Sequence, residues 1–260
     1  MVDKKEALIE LEKVSKSLDG HTVLDEMSFC VYRGETFILA GPSGAGKSVT
    51  LKHIVRLMEP DAGRVLVAGT DMAGLDRTGL SKMRERFGVL FQSAGLLASM
   101  NVYDNVALPL RELSDFSEDE IREKVLDRLA IVGLKDVESK MPADLSGGMR
   151  KRVGLARAII REPEIILYDE PTAGLDPVMA NTISELIKNT ADVLGVTSVV
   201  VTHDLESISV TADRVGMLYQ GRIRDSGTFE EMCVSKDDIV RNFFTSAGPH
   251  KRSENQEMSN

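Results

Sequence analysis

A glycine-rich segment early in the chain carries the clearest chemical pattern. The run Gly41-Pro42-Ser43-Gly44-Ala45-Gly46-Lys47-Ser48 fits G-x-x-x-x-G-K-[S/T], in which backbone N–H groups wrap around a phosphate. The apolar run Thr36-Phe37-Ile38-Leu39-Ala40 precedes it, as a buried strand should, and a helical pattern follows. Lys47 can reach the β- and γ-phosphates, and the Ser48 hydroxyl can bind Mg²⁺. We predict a nucleotide site at these residues and Val49; the alternative is an ordinary glycine-rich turn with an exposed lysine.

Two adjacent acids follow a second apolar run. Ile165-Ile166-Leu167-Tyr168 leads directly into Asp169 and Glu170. Buried strands often end in an acidic turn, so this pair alone does not distinguish a structural role from a chemical one. In a chain that also has a phosphate loop, Asp169 can hold Mg²⁺ through its waters and Glu170 can polarise the water that attacks the γ-phosphorus. Lys47 and these two carboxylates would supply most of what one phosphoryl-transfer site requires.

A third segment combines features that favour a second phosphate contact. Asp144-Leu145-Ser146-Gly147-Gly148-Met149 precedes a helical pattern over residues 150–160. A small hydroxyl, two glycines that permit close approach and a helix N-terminus all favour an anion. Taken in isolation, Ser146 is better explained as an ordinary helix cap.

In their order and spacing, these segments resemble the ABC ATPase family over about residues 7–245. The resemblance implies that Ser146, Gly147 and Gly148 close over the γ-phosphate of ATP held on the opposite subunit of a dimer. It also implies that Gln92, after the apolar run 87–91, is the Q-loop glutamine, which contacts Mg²⁺ and the attacking water.

Two more positions gain a role from the same resemblance. Asp176 follows the acid pair and matches the D-loop aspartate, which acts across the dimer, and His203 follows a buried strand and matches the switch histidine at the γ-phosphate. Singly, each has an ordinary structural explanation, and their order in the chain favours the functional one. With ATP and Mg²⁺ as the expected cofactors, the predicted catalytic residues are Lys47, Gln92, Glu170 and His203, and the predicted metal ligands are Ser48, Gln92 and Asp169.

Two positions depart from the family pattern. Leu18 stands where the family commonly has an aromatic that stacks on adenine, and Met149 replaces the usual signature glutamine. Within the family, the segments 90–97 and 101–112, with a signature ending in methionine, are similar to the ATPase subunit of Mla-type phospholipid transporters. That similarity implies a separate permease, a substrate-binding protein of the MCE class and a location at the cytoplasmic face of the bacterial inner membrane.

The pattern of predicted elements indicates an α/β fold. Alternating apolar runs at 8–14 and 27–31 predict an antiparallel start, and the buried strands at 36–40, 165–168 and 199–202 predict a parallel sheet with crossover helices. We also predict a helix at 177–194 that ends at Gly195, a helix that begins with a capping box at Ser117 and Glu120, and a hairpin turn at Gln220-Gly221. The expected architecture is a P-loop NTPase ABC cassette with a RecA-like core, an antiparallel β flank and an inserted helical subdomain. We place the ATPase domain at 7–245, with the core at 7–92 and 158–245, the helical subdomain at 93–157 and a polar tail at 246–260.

Composition narrows the classes of partner. The net charge of -9 argues against binding nucleic acid, and no apolar run approaches the ~18 residues that indicate a membrane span. The start lacks a secretory pattern, and Cys30 and Cys233 lack metal-ligand spacing, which favours a reducing cytoplasm. We expect a second copy of the chain and a membrane permease as partners. A small-molecule kinase, an ABC ATPase for another substrate and a non-transport ABC ATPase are the alternatives.

Overall fold

The computed structural model describes residues 6–246, so the predicted polar tail lies outside the described residues except for Ser246. Ten strands and nine α-helices occur in this part of the chain. In chain order they are β1 (Ala7–Leu18), β2 (His21–Tyr32), β3 (Thr36–Ala40), α1 (Lys47–Ile54), β4 (Ala62–Val67), β5 (Thr70–Asp71), α2 (Arg77–Arg84), β6 (Phe87–Leu90), α3 (Val102–Leu113), α4 (Glu118–Ile131), α5 (Gly147–Ile159), β7 (Ile165–Asp169), α6 (Pro177–Leu194), β8 (Thr197–Thr202), α7 (Leu205–Thr211), β9 (Arg214–Tyr219), β10 (Arg222–Gly227), α8 (Phe229–Cys233) and α9 (Asp238–Thr245).

The strands form two sheets, as the sequence pattern predicts. A four-stranded antiparallel sheet has the order β2-β1-β4-β5, and a six-stranded sheet has the order β10-β9-β3-β8-β7-β6. In the larger sheet, β10 pairs antiparallel with β9 and the remaining pairs are parallel. The predicted hairpin at Gln220-Gly221 joins β9 to β10.

The parallel sheet brings the chemical segments to one edge. Ala40 at the end of β3 pairs with Thr202 at the end of β8, and Asp169 at the end of β7 pairs with Val201 of β8. Because parallel strands share a carboxyl edge, the phosphate loop, the acid pair and His203 all emerge side by side. These strands are almost entirely buried, which explains why their sequences are continuously apolar.

Two apolar clusters stabilise this edge from opposite faces. Phe37 and Leu39 of β3 pack with the strands of the antiparallel sheet, whereas Ile38 and Ala40 pack with the helices on the other side. Alternate side chains of a strand point to opposite faces, so β3 contributes to both clusters and is held firmly in place. The phosphate loop therefore leaves a rigid strand.

Helix ends follow the local chemistry of the sequence. The predicted helix 177–194 is confirmed: Asp176 caps its start, Pro177 occupies its first turn, and Gly195 with φ 63° ends it. The predicted capping box at Ser117 and Glu120 also forms at the start of α4. Within residues 6–246, no helix is long and apolar enough to cross a membrane.

The helices α3, α4 and α5 pack on one another, and α5 also packs on β6 of the parallel sheet. Their apolar side chains, such as Val106, Leu129 and Val153, belong to the same cluster as the sheet residues. The helical insertion and the sheet thus share one core, and the division at residues 93 and 157 stays a prediction.

Candidate active site

The phosphate loop closes tightly between β3 and α1. Gly46 immediately precedes α1 with φ 105°, a conformation that side chains disfavour. A Cβ at this position would lie 2.8 Å from Leu24 and 3.1 Å from the Val23 carbonyl oxygen. The Thr50 hydroxyl, one turn into α1, donates to the Gly46 carbonyl at 3.0 Å. Glycine is therefore required here by both conformation and space.

Lys47 points back across its own loop and reaches the acid pair. Its side chain is buried, and Nζ donates to the carbonyl oxygens of Gly41 at 2.8 Å and Pro42 at 3.1 Å. The same Nζ lies 3.3 Å from Glu170 Oε1. An ammonium fixed in this way presents its positive charge at the mouth of the loop, where a bound triphosphate would carry its terminal charge.

Two oxygen groups meet beside this lysine. The Ser48 hydroxyl donates to Asp169 Oδ1 at 2.7 Å, which joins the start of α1 to the end of β7. Mg²⁺ prefers oxygen ligands and is usually held by one or two carboxylates together with substrate phosphates, so this donor pair fits a magnesium site. Among residues 6–246, no group of three or more His, Cys, Asp or Glu side chains is arranged as a metal site.

Glu170 adopts a strained backbone conformation that aims its carboxylate into the site. Its φ is 46°, which is uncommon for a residue with a side chain, and its N–H donates to the Val201 carbonyl at 2.9 Å. The carboxylate lies between Lys47 Nζ and His203 Nδ1, which is 3.1 Å from both carboxylate oxygens. Strain of this kind, of order 1–3 kcal/mol, concentrates at functional positions.

The contacts thus gather five of the predicted residues in two adjoining groups: Ser48 binds Asp169, and Glu170 binds Lys47 and His203. The groups adjoin because Lys47 and Ser48, like Asp169 and Glu170, are neighbours in the chain. Gln92 is placed differently, because its side chain is exposed and its contact with the site runs through its backbone carbonyl. That carbonyl accepts a hydrogen bond from Lys151 of α5, whose Nζ also donates to the Glu170 carbonyl at 3.3 Å.

Lys151 was missed by the sequence analysis. It lies in the basic run Arg150-Lys151-Arg152, which has the composition of a solvated helix face, yet its side chain is only 5% exposed. Burial lowers the pKa of Lys151, and the nearby carboxylates of Asp169 and Glu170 act in the opposite direction.

A second contact that the sequence did not predict joins the segments after β7 and β8. The Thr172 hydroxyl donates to Asp204 Oδ2 at 3.1 Å. In the sequence, the one indication that Asp204 has a structural role is its position, because an acidic residue often caps the helix that follows it.

Ser146 of the signature segment and Asp176 are exposed and lie apart from these contacts. Ser146 caps α5 by accepting from the Met149 N–H at 3.2 Å, and Asp176 caps α6 by accepting from the Met179 N–H at 3.1 Å. Met179 also packs against Gly148. Within the described part of the chain, no hydrogen bond or ion pair joins Ser146 or Asp176 to the network around Lys47 and Glu170.

A phosphate loop, an acid pair and a histidine at the carboxyl edge of one parallel sheet define a P-loop nucleoside triphosphatase. The family model for ABC transporter matches residues 24–173. The chain belongs to the ABC transporter family, and it is an ATP-binding subunit that hydrolyses ATP to drive transport.

Relatives and solved structures agree with this assignment. The chain is 40% identical over 251 residues to a probable ribonucleotide transport ATP-binding protein of Mycobacterium bovis, spanning 96% of this chain and 70% of that protein. It is 37% identical over 236 residues to the intermembrane phospholipid transport ATP-binding protein MlaF of Haemophilus influenzae, spanning 91% and 89%. The dimeric cassette MJ0796 bound to ADP and Pi superposes with a TM-score of 0.77 at 32% identity, covering 85% of this chain and 98% of that one.

Proposed function

We propose that two copies of this chain close around ATP and drive phospholipid transport through a membrane permease. The observation that carries the proposal is the division of the site into a connected group around Lys47 and Glu170 and an exposed group around Ser146 and Asp176. Two copies arranged with twofold symmetry would supply each ATP with one group of each kind. The dimeric structure of a related cassette supports this arrangement.

Each residue of the connected group has a distinct task in hydrolysis. Lys47 and the loop N–H groups bind the phosphates, while Ser48 and Asp169 would hold Mg²⁺, which neutralises phosphate charge when bound. Glu170 accepts a proton from the attacking water, and His203 orients that carboxylate and approaches the γ-phosphate. Gln92 would reach the water and the metal from the loop that Lys151 holds.

The opposite copy would complete the site. Ser146 at the start of α5 presents a hydroxyl and the positive end of a helix, and Gly147 and Gly148 allow a phosphate to come close. Asp176 at the start of α6 would contact the partner across the same junction. Ser146 and Asp176 are exposed and Gly147 is half-buried, which suits an interface that assembles when ATP is bound, whereas Gly148 is buried against Met179.

A surface beside Gln92 is our proposed permease contact. The family resemblance implies a groove lined by residues 93–110, and the alternative is that the apolar side chains of this stretch pack the core of the helical subdomain. The structure divides the stretch: Val102 is fully buried and Tyr103 packs against the helical core, whereas Leu97 is 41% exposed. Phe91, just before the stretch, is 44% exposed. Exposed apolar side chains next to the loop that contacts the site are suited to receive a short helix of a membrane partner. This contact would hold the chain at the cytoplasmic face of the inner membrane.

The relative MlaF supports phospholipid as the cargo. The resemblance of segments 90–97 and 101–112 to Mla-type ATPases adds an MCE-type substrate-binding protein as a further proposed partner. A second cargo has specific support, because the chain is also 42% identical over 224 residues to a methionine import ATP-binding protein of Cupriavidus metallidurans. The two proposals share the same ATP hydrolysis and differ in the molecule that the complex transports.

One experiment separates these cargoes. The tagged chain is purified from membranes with its bound partners, reconstituted in vesicles, and assayed with fluorescent phospholipid and with labelled methionine. We expect ATP-dependent movement of the phospholipid and no uptake of methionine. Uptake of methionine without movement of lipid would overturn the phospholipid assignment and leave the ATPase assignment intact.

A further inference from the structure

A buried lysine joins the two segments that carry the proposed water-handling residues. Lys151 Nζ donates to the backbone carbonyl of Gln92 on one side and to that of Glu170, at 3.3 Å, on the other. Beyond the pairing of β6 with β7, this one side chain therefore bridges the loop after β6 and the loop after β7. Lys151 itself belongs to α5, the helix that begins at the signature.

Packing alone does not account for a charge at this position. Burying an ammonium has a large desolvation cost, and an apolar side chain of similar volume usually serves stability as well or better. The hydrogen bonds to two carbonyls and the nearby carboxylates of Asp169 and Glu170 offset that cost. Because all of these partners belong to the site, the lysine is best explained by what it does there.

Further contacts fix α5 to the same loop. Arg157, further along the helix, donates to the carbonyls of Ala94 and Gly95, each at 2.8 Å. Between the two cations, Gly154 lies so close to the loop that a Cβ would be 2.8 Å from Leu90 and 3.1 Å from the Ala94 carbonyl oxygen. The helix is therefore fastened to the Gln92 loop at several points, and among the hydrogen bonds of residues 6–246, Lys151 alone links α5 to Glu170.

We propose that Lys151 is a positioning residue for ATP hydrolysis, which sets the separation of Gln92 and Glu170 and links both to the helix that begins at Ser146. The inference rests on the proposed roles of Gln92 and Glu170. Its consequence is mechanical: when Ser146 of α5 engages a phosphate on the opposite copy, the same helix aligns the groups that handle water in its own site.

The test uses the full chain with three substitutions. Lys151→Met removes the hydrogen bonds and keeps the volume, Lys151→Gln keeps a neutral donor, and Arg157→Met removes a cation that contacts the loop but not Glu170. The measurements are kcat for ATP hydrolysis, affinity for a fluorescent non-hydrolysable ATP analogue, and melting temperature. We expect Lys151→Met to lower kcat by about tenfold to a hundredfold, as loss of alignment does, with affinity changed less than about twofold. Lys151→Gln should retain more activity than Lys151→Met, and Arg157→Met should lose less.

Three results would overturn the proposal. One is a wild-type kcat in Lys151→Met, another is a loss of kcat that only follows lost affinity or lost melting temperature, and the third is equal kcat loss in Arg157→Met and Lys151→Met. If Lys151→Met does not fold, the comparison of Lys151→Gln with Arg157→Met decides. Glu170→Gln in the same assay distinguishes failure of the proposed function from failure of this inference. Wild-type hydrolysis by Glu170→Gln would refute the role of Glu170. Wild-type hydrolysis by the Lys151 variants, with Glu170→Gln inactive, would refute only the role of Lys151.

Discussion

The two halves of the site differ in how their residues are held. On the phosphate-loop side, three neighbouring strand ends bring five residues together: Ser48 contacts Asp169, and Glu170 contacts Lys47 and His203. On the signature side, among the hydrogen bonds of residues 6–246, Ser146 and Asp176 each bind only the backbone of the helix that they begin. The first group is assembled by the fold, and the second is exposed and separate within the described chain.

In our proposal, the first group carries out ATP hydrolysis and the second makes hydrolysis depend on a second copy of the chain. In the proposed mechanism the assembled group supplies the charges and the base for hydrolysis, and strain at Glu170 is tolerated because the surrounding strands hold it. In the same proposal the exposed group offers hydrogen bonds and helix dipoles to a phosphate held by a second copy. Association would then complete a site that folding of one chain only half builds.

The largest expected effect is the loss of the base in the assembled group. Glu170→Gln removes the charge that polarises water and leaves the contacts of Lys47 and Ser48 in place, so turnover should fall by about a hundredfold or more. ATP binding should persist, and the variant should accumulate as an ATP-bound dimer detectable by size-exclusion chromatography. Glu185→Gln, an acid on α6 outside the network, is the control and should hydrolyse normally. Near-normal turnover in Glu170→Gln would remove Glu170 from the mechanism.

A second prediction concerns the surface that transmits motion to the membrane. Leu97→Glu places a charge on the exposed apolar contact beside Gln92, and it should abolish co-purification with the permease and lipid transport while the isolated chain still binds ATP. Leu113→Glu is the matched control, because Leu113 is also exposed but lies at the far end of α3. Unfolding of Leu97→Glu would mean that the side chain serves the helical core, and equal loss in both variants would mean that the contact is elsewhere.

The sequence predicted the elements that carry the phosphate-loop residues better than the helices and side chains packed around them. The strand at 36–40 and the helix at 177–194 were predictable to the residue, because an unbroken apolar run and the pair Asp176 and Gly195 mark their ends. Helix α2 (Arg77–Arg84) was missed, since it is eight residues long, has two large apolar side chains, Leu80 and Met83, and buries only Met83.

The sequence pattern did not predict whether an individual side chain is buried or exposed. Lys151 stands among other basic residues and only tertiary packing turns it inward, while Val102 was expected on a docking surface and is instead fully buried. In both cases the neighbours that decide burial come from distant parts of the chain.

The smallest expected effect concerns recognition of the adenine base of ATP. Leu18 is half-buried at the end of the β1–β2 hairpin, where it pairs with His21, and β2 continues past the phosphate loop at Val23. A leucine offers apolar contact without the flat face that stacks on a base, so Leu18→Tyr should tighten ATP binding by about threefold to tenfold and raise the preference over GTP. Ser17→Tyr is the control. An unchanged ATP to GTP ratio in Leu18→Tyr would place the base elsewhere.

The composite site is tested most directly with mixed dimers. Chains carrying Ser146→Arg and chains carrying Lys47→Ala are given different affinity tags, combined, and the mixed dimers are purified through both tags. Each parent should be inactive, because every site in it carries one lesion. In a mixed dimer, one site carries both lesions and the other carries neither, so ATP hydrolysis should return to about half of the wild-type rate per dimer if the two sites act independently. Mixed dimers as inactive as both parents would contradict a site shared between two copies.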